Sequence, residues 1–230
     1  MVRRRIIILT AVEIEAKAVA RALGLVCPRP NKPSKADRAG LIVELHLIGI
    51  RALHFTSPMP GADSAVYIMA GLAGGLDPSL RVGDVVIDDC PTGLLPDVAH
   101  RRGGIHTAEH LIATTTEKAA LFAQTRALAV DMETRIVRTL AQREGIPFVA
   151  VRAISDAFDE ALDPTILKLV DGFGRPRPAA ITATLLRRPA LIAPLRRLGA
   201  ASHLAAENLG AAVAAIVRLC SEVEPAQSAE

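Results

Sequence analysis

Ile6-Ile7-Ile8-Leu9-Thr10-Ala11-Val12-Glu13-Ile14-Glu15-Ala16 is the stretch that decides the fold. Ile6 to Thr10 is a β-branched, apolar run of the kind that forms a buried strand. From Ala11 to Leu23 the period changes: Val12, Ala16, Val19, Ala20 and Leu23 recur at helical spacing until Gly24 stops them. A strand that feeds through a short turn into a helix is the unit of an α/β sheet.

Leu41 to Ile48 and Val66 to Ala70 are further apolar runs, the second ending in a glycine loop, Gly71-Leu72-Ala73-Gly74-Gly75. A short strand, Asp84 to Asp88, follows the turn signals at Asp77-Pro78 and Gly83. Leu128 to Val130 precedes a helix from about Glu133 to Glu144, with Ile136, Val137 and Leu140 on one face. Gly145 and Pro147 then lead into a strand over Phe148 to Ile154. Beyond Asp163 only helical patterns remain. Ile181 to Leu186 and Leu191 to Leu198 read as short apolar-basic segments, and Leu204 to Cys220 as a longer apolar helix. The expectation is one α/β domain over residues 1–230, with a mixed central sheet flanked by helices, a helical extension at 163–221 and a loose tail at 222–230. In such sheets ligands gather beyond the carboxyl ends of strands. That rule selects Glu13 and Glu15, the glycine loop, Asp131 to Glu133, and Ser155-Asp156.

Composition narrows the partners. The chain is 50% hydrophobic over 230 residues, enough for one sizeable core. Three cysteines, Cys27, Cys90 and Cys220, have neither disulfide-framework nor metal spacing and point to a reducing compartment, the cytosol. The basic start before Ile6 imitates a signal peptide, but Glu13 and Glu15 stand where a cleavage site would be. No apolar stretch reads as long enough to span a bilayer, Ala211 to Val217 being about half the length required. The net charge is +3, with Arg175, Arg177, Arg187, Arg188, Arg196 and Arg197 crowded late in the chain. One Tyr and no Trp leave nothing for stacking on single-stranded nucleic acid, whereas an anionic membrane surface suits the late arginines. His46 and His54 read as satisfied or surface histidines, and His100, His106 and His110 lack the companion ligands of a metal site, so none is expected.

Three segments together resemble the nucleoside phosphorylase and nucleosidase superfamily. They are Ala11-Val12-Glu13-Ile14-Glu15, then Gly71 to Leu76 with Val82-Gly83-Asp84-Val85-Val86, and Val130-Asp131-Met132-Glu133 with Val151 to Asp156. Within it the chain looks like the branch associated with hopanoid biosynthesis, through Ile112-Ala113-Thr114 with Glu117-Lys118-Ala119-Ala120, and through Asp171 to Ala180 leading to Leu185-Leu186-Arg187-Arg188-Pro189. The resemblance implies a phosphorylase/hydrolase-like three-layer fold and a homodimer. It also implies a substrate in which adenosine is joined to a hopane skeleton, with adenine released.

The roles it implies make chemical sense. A purine leaves poorly as an anion, so protonation at N7 eases departure, and Asp156 matches the acid that does this. Its carboxyl must then hold a proton near neutrality, through burial or a neighbouring acid. Ser155 would orient it. Glu133 matches the carboxylate on the ribose hydroxyls, where oxocarbenium charge develops, and Met132 the side chain packed under the sugar. Glu15 matches the base that activates water, and Gly71 and Gly74 the glycine positions beside the substrate.

Each residue also has an ordinary account. Glu13, Glu15, Asp131 and Glu133 are acids at helix starts, Met132 could be core, and Asp156 could cap its segment. Arg152, inside a strand, suits pairing with a structural carboxylate. The segment Gly71-Leu72-Ala73 lacks the Ser or Thr that many relatives carry after the first glycine, Asp131 stands where nucleosidases have a longer Glu, and no arginine-rich phosphate site is evident. Arg51 is the single candidate for holding inorganic phosphate as co-substrate. Phe55 to Asp63 is a candidate pocket loop. Water and phosphate both stand as nucleophiles, a soluble nucleoside such as methylthioadenosine or adenosylhomocysteine is the alternative substrate, and a catalytically silent nucleoside- or lipid-binding scaffold the alternative class. No cofactor is expected.

Overall fold

The computed structural model describes residues 4–38, 41–53, 65–91 and 94–222. His54, the loop Phe55 to Asp63 and the tail beyond Glu222 lie outside the described residues. In chain order the elements are β1 (Arg4–Thr10), α1 (Glu13–Leu23), β2 (Ser34–Arg38), β3 (Leu41–Leu47), β4 (Ala65–Gly75) and β5 (Val85–Asp88). Next come β6 (Arg101–Arg102), β7 (Ile105–Thr107), α2 (Thr115–Thr125), β8 (Ala129–Asp131), α3 (Thr134–Arg143) and β9 (Phe148–Asp156), and last α4 (Pro178–Arg187) and α5 (Ile192–Glu222).

The strands form one mixed sheet in the order β2-β3-β1-β4-β9-β5-β6, with β8 also pairing β4 and β7 pairing β8. β1 runs parallel to β3 and β4, and β4 parallel to β9. β5 is antiparallel to β9, and β2 to β3. The pleat explains the uninterrupted apolar run of β1. Ile6 and Ile8 enter one core with Val19, Leu45, Leu209, Val213 and Ile216, while Ile7 and Leu9 enter another with Tyr67, Met69, Val137 and Phe148. Both faces are covered, so alternation with polar residues is absent.

Four expectations change. The glycine run is no loop: β4 continues to Gly75 and pairs with β9 and β8, because Gly71 and Gly74 leave the space that neighbouring side chains occupy. The inner face of α3 is Thr134, Val137 and Ala141, and Ile136 is 43% exposed. The late helical region is not a series of short pieces before a longer helix. Leu191 to Leu198 and Leu204 to Cys220 fall almost wholly on one 31-residue helix, α5. Pro194 is tolerated there because it sits in the first turn, where no intrahelical N–H partner is lost.

The fourth concerns bilayer-spanning length. The helical stretch Pro189–Glu222 has a mean hydropathy of 1.4 over its most apolar window and would be long enough to cross a bilayer, yet 56% of that window is buried inside the protein. α5 is core. It packs across α1 so closely that a Cβ on Gly210 would lie 2.9 Å from the Ala18 carbonyl oxygen. Gly210→Val is therefore expected to cost about 1–3 kcal/mol by overpacking, read as a lowered urea midpoint; an unchanged midpoint would show that the two helices can separate freely.

Candidate active site

The carboxyl ends of β1, β4, β8 and β9 converge on one cavity of about 260 Å³, lined among others by Glu15, Gly74, Met132, Glu133, Ser155 and Asp156. Gly71 and Arg51 are not brought to it. A Cβ on Gly71 would come within 1.9 Å of Arg152 Nη1, so this glycine makes room for a buried arginine. The Arg51 side chain is exposed, and only its backbone N–H reaches the site, donating to Glu133 Oε1 at 2.9 Å. Glu13 also lies elsewhere, paired with Lys17 and Arg175.

Glu15 is held at the start of α1. Its Oε2 accepts from the N–H groups of Ala11 (2.9 Å) and Val12 (3.0 Å), which closes the helix N-terminus. Its Oε1 accepts from Leu72 N–H on β4 at 2.8 Å. The ordinary capping account and the site placement are thus both true of this residue. Burial pushes its carboxyl up to about 7, against the opposing pull of Arg152 and the backbone donors.

Asp131 and Arg152 form a buried ion pair behind the cavity, as suits a strand arginine. Asp131 also accepts from Thr107 Oγ1 at 2.8 Å and from Thr134 N–H at 2.9 Å, and Thr107 Oγ1 in turn accepts from Arg135 N–H, which ties β7, β8 and the start of α3 together. Burial raises the Glu133 carboxyl above its ordinary value, while Arg152 restrains the rise.

Asp156, at the end of β9, is 4% exposed. Ser155 Oγ donates to its Oδ1 at 2.9 Å. Its Oδ2 accepts from Lys118 Nζ at 2.7 Å, a partner that the sequence did not single out for this site. Lys118 comes from α2 and is completely buried, where it also donates to the carbonyl oxygens of Ala157 (2.6 Å) and Glu160 (2.9 Å). One signal for it was legible. Thr114 and Glu117 form a capping box, so Lys118 follows in the first turn of a helix, where the dipole disfavours a cation. Despite Lys118, burial holds the Asp156 carboxyl above its usual range.

The cavity thus gathers Glu15, Asp131, Glu133 and Asp156, and no lysine or arginine is among its described lining residues. It offers an acid with a raised carboxyl and a hydroxyl beside it, and a second carboxyl that burial pushes up to about 7. Residues 92–187, which include Met132, Glu133 and Asp156 but not Glu15, match the family described as the Phosphorylase superfamily. The fold is shared with solved nucleosidases and a futalosine hydrolase. Among them is the 5′-methylthioadenosine/S-adenosylhomocysteine nucleosidase of Helicobacter pylori, at TM-score 0.62 and 17% identity over 95% of this chain and 99% of that one. The nucleosidase of the same description from Neisseria meningitidis, in complex with methylthio-immucillin-A, matches at TM-score 0.61 and 18% identity over 94% and 99%. Futalosine hydrolase of Helicobacter pylori matches at TM-score 0.61 and 18% identity over 94% and 98%.

Proposed function

We propose that this protein is an enzyme that cleaves the N-glycosidic bond of a purine nucleoside, with Asp156 as the acid toward the base and water as the nucleophile. The observation that carries the reading is the juxtaposition of Asp156, Met132-Glu133 and Glu15 around one cavity. A purine whose N7 faces Asp156 would have its ribose against Met132 and Glu133. Glu15 would then take a proton from water attacking C1′.

Water is favoured over phosphate by charge. A phosphate dianion would enter a cavity lined by four carboxyl groups, with no lysine or arginine among its described lining residues to offset them. Glu15, with its carboxyl at about 7, is by contrast a base of suitable strength at neutral pH.

The substrate in this proposal is adenosine joined to a hopane skeleton. Support comes from a groove of about 910 Å³ that shares Ile166 and Leu198 with the catalytic cavity and is lined by apolar residues such as Ile14, Leu169, Leu185 and Leu195. Leu186 and Ile192 stand exposed near it, beside the exposed arginines Arg187, Arg188, Arg196 and Arg197. An apolar surface with a basic rim suits peripheral contact with the cytoplasmic face of a membrane that dissolves such a substrate. A small soluble nucleoside would leave the groove unused. The homodimer belongs to the same proposal.

The test is an assay on adenosylhopane, methylthioadenosine and inosine, with and without phosphate. Free ribosyl product whether or not phosphate is present is the expected result, and formation of a sugar 1-phosphate would replace water by phosphate. The kcat/KM for hydrolysis should fall about tenfold per pH unit below about 7, where Glu15 takes up its proton. Preference for methylthioadenosine over adenosylhopane would remove the lipid-linked substrate. No release of base from any purine nucleoside would remove the enzymatic reading altogether.

A further inference from the structure

Lys118 is a buried cation in direct contact with the acid that must give up a proton. An ammonium paired with Asp156 would ordinarily keep the carboxyl ionised, which is the wrong state for donation to a leaving base. The geometry around Nζ resolves this conflict. All three N–H bonds of the ammonium are used, by Asp156 Oδ2 and by the carbonyl oxygens of Ala157 and Glu160. If one proton moves from Nζ to Oδ2, the resulting amine still donates to both carbonyls, and its lone pair accepts from the new carboxyl O–H. Neither protonation state leaves a buried polar atom of Lys118 without a partner, so the usual penalty for changing the charge of a buried group is largely removed.

We propose that Lys118 and Asp156 hold one shared proton, which passes from Lys118 to Asp156 when a purine covers the site and from Asp156 to the purine as the glycosidic bond breaks. The inference rests on the purine-nucleoside reading. With the cavity open, the small exposed part of the Asp156 carboxylate faces solvent, which favours the ammonium-carboxylate pair. A planar base lying over Asp156 expels that water, and a separated pair of charges loses favour relative to the neutral amine and acid.

The Nζ–H bond breaks and an Oδ2–H bond forms, so lysine becomes neutral and the acid neutral. The O–H then turns from Nζ toward N7 and gives up its proton there as water bonds to C1′, the electrons of the C1′–N9 bond move onto the base, and Glu15 takes the proton that the water releases. A neutral base departs, Asp156 returns to carboxylate, and Lys118 regains a proton from solvent after release. Ser155 on Oδ1 keeps the carboxyl oriented throughout. The other titratable groups near Asp156 are Glu160 on its own strand-end segment, and Glu15, Asp131, Glu133 and exposed His110 around the cavity. None of these is hydrogen-bonded to Asp156, whereas Lys118 is.

The deciding experiment compares the pH dependence of kcat in the unaltered protein and Lys118→Met, on a purine nucleoside and on 4-nitrophenyl riboside, whose leaving group needs no proton. With Lys118 present, the acid draws on a proton that the pair holds between its two members. Without Lys118 the acid depends on Asp156 alone, so the alkaline limb for the purine substrate should move to lower pH. Above that limb kcat should drop about 10²–10⁴-fold, with the nitrophenyl substrate spared. A limb that stays in place, moves to higher pH or shifts equally for both substrates overturns the inference, because a fixed counter-ion or a purely structural lysine gives those results.

A second measurement needs no lysine variant. Adenine binding to the unaltered protein should produce a protonated-carboxyl infrared band, absent from Asp156→Asn, without uptake of a proton from solvent by calorimetry in buffers of different ionisation enthalpy. No band, or a band accompanied by proton uptake, overturns it. If the unaltered protein cleaves purine nucleosides and these signatures fail, only the role of Lys118 falls. If it cleaves none, the purine reading falls and takes this inference with it.

Discussion

Asp156→Asn is expected to lower kcat on a purine nucleoside by about 10²–10⁴-fold while leaving cleavage of 4-nitrophenyl riboside close to that of the unaltered protein. The asparagine keeps the size of the side chain and can still meet Ser155 and N7 by hydrogen bonding, but it has no acidic proton to transfer. The effect therefore belongs in kcat rather than in KM. The same change leaves Lys118 as a buried ammonium without its carboxylate, so stability should also fall, on the order of the 3–5 kcal/mol that breaking a buried pair costs. That second effect is why the nitrophenyl substrate matters. A protein merely loosened by an unpaired lysine would lose both activities together, and equal losses on the two substrates would remove Asp156 from the proton-transfer step.

The frame of this fold was legible wherever a segment is buried on both faces. Ile6 to Leu9 is an unbroken apolar run, Phe148 to Ile154 is interrupted only by Arg152, and both lie in central strands. Residues 34–38, read Ser-Lys-Ala-Asp-Arg, gave no such signal because β2 is an edge strand with little to bury, and its partner β3 supplies the apolar side chains. Gly71 to Gly75 misled for a physical reason: glycine ordinarily marks a turn, but here the missing side chains make way for Arg152 and Asp156 on the adjacent strand. In the site, Glu15, Glu133 and Asp156 were marked as acids at strand ends, while their roles, and the choice of Met132, came from the family resemblance. Lys118 was not singled out for the site: its place in a first helical turn marks it as unusual, but its delivery to the Asp156 carboxyl from 38 residues upstream is a contact between elements. That contact exists only in three dimensions.

Arg152→Met should destabilise the protein by about 3–5 kcal/mol near neutral pH, and the loss should shrink as the solution is made acidic. Arg152 is completely buried on β9, paired with Asp131 and donating to Thr134 Oγ1 at 2.9 Å. Its charge also restrains the rise of the Glu15 and Glu133 carboxyls. Methionine would fill much of the space but leave these buried acids without a cation. The sign follows from linkage. A carboxyl whose folded pKa is raised contributes stability that is intact below its unfolded pKa and is lost as pH rises through the folded value, here about 7 for Glu15. Removing Arg152 raises that folded value further, so the gap in urea midpoint between the two proteins should be widest above about pH 7 and narrow toward about pH 5. The same shift reaches catalysis. Glu15 would keep its proton to higher pH, so the acid limb of kcat/KM for hydrolysis should move upward in the variant. A gap in midpoint that does not vary with pH would show that Arg152 acts through packing alone. A displaced gap with an unmoved acid limb would show instead that Glu15 is not the base, because the cation that governs its charge would then have no hold on the rate.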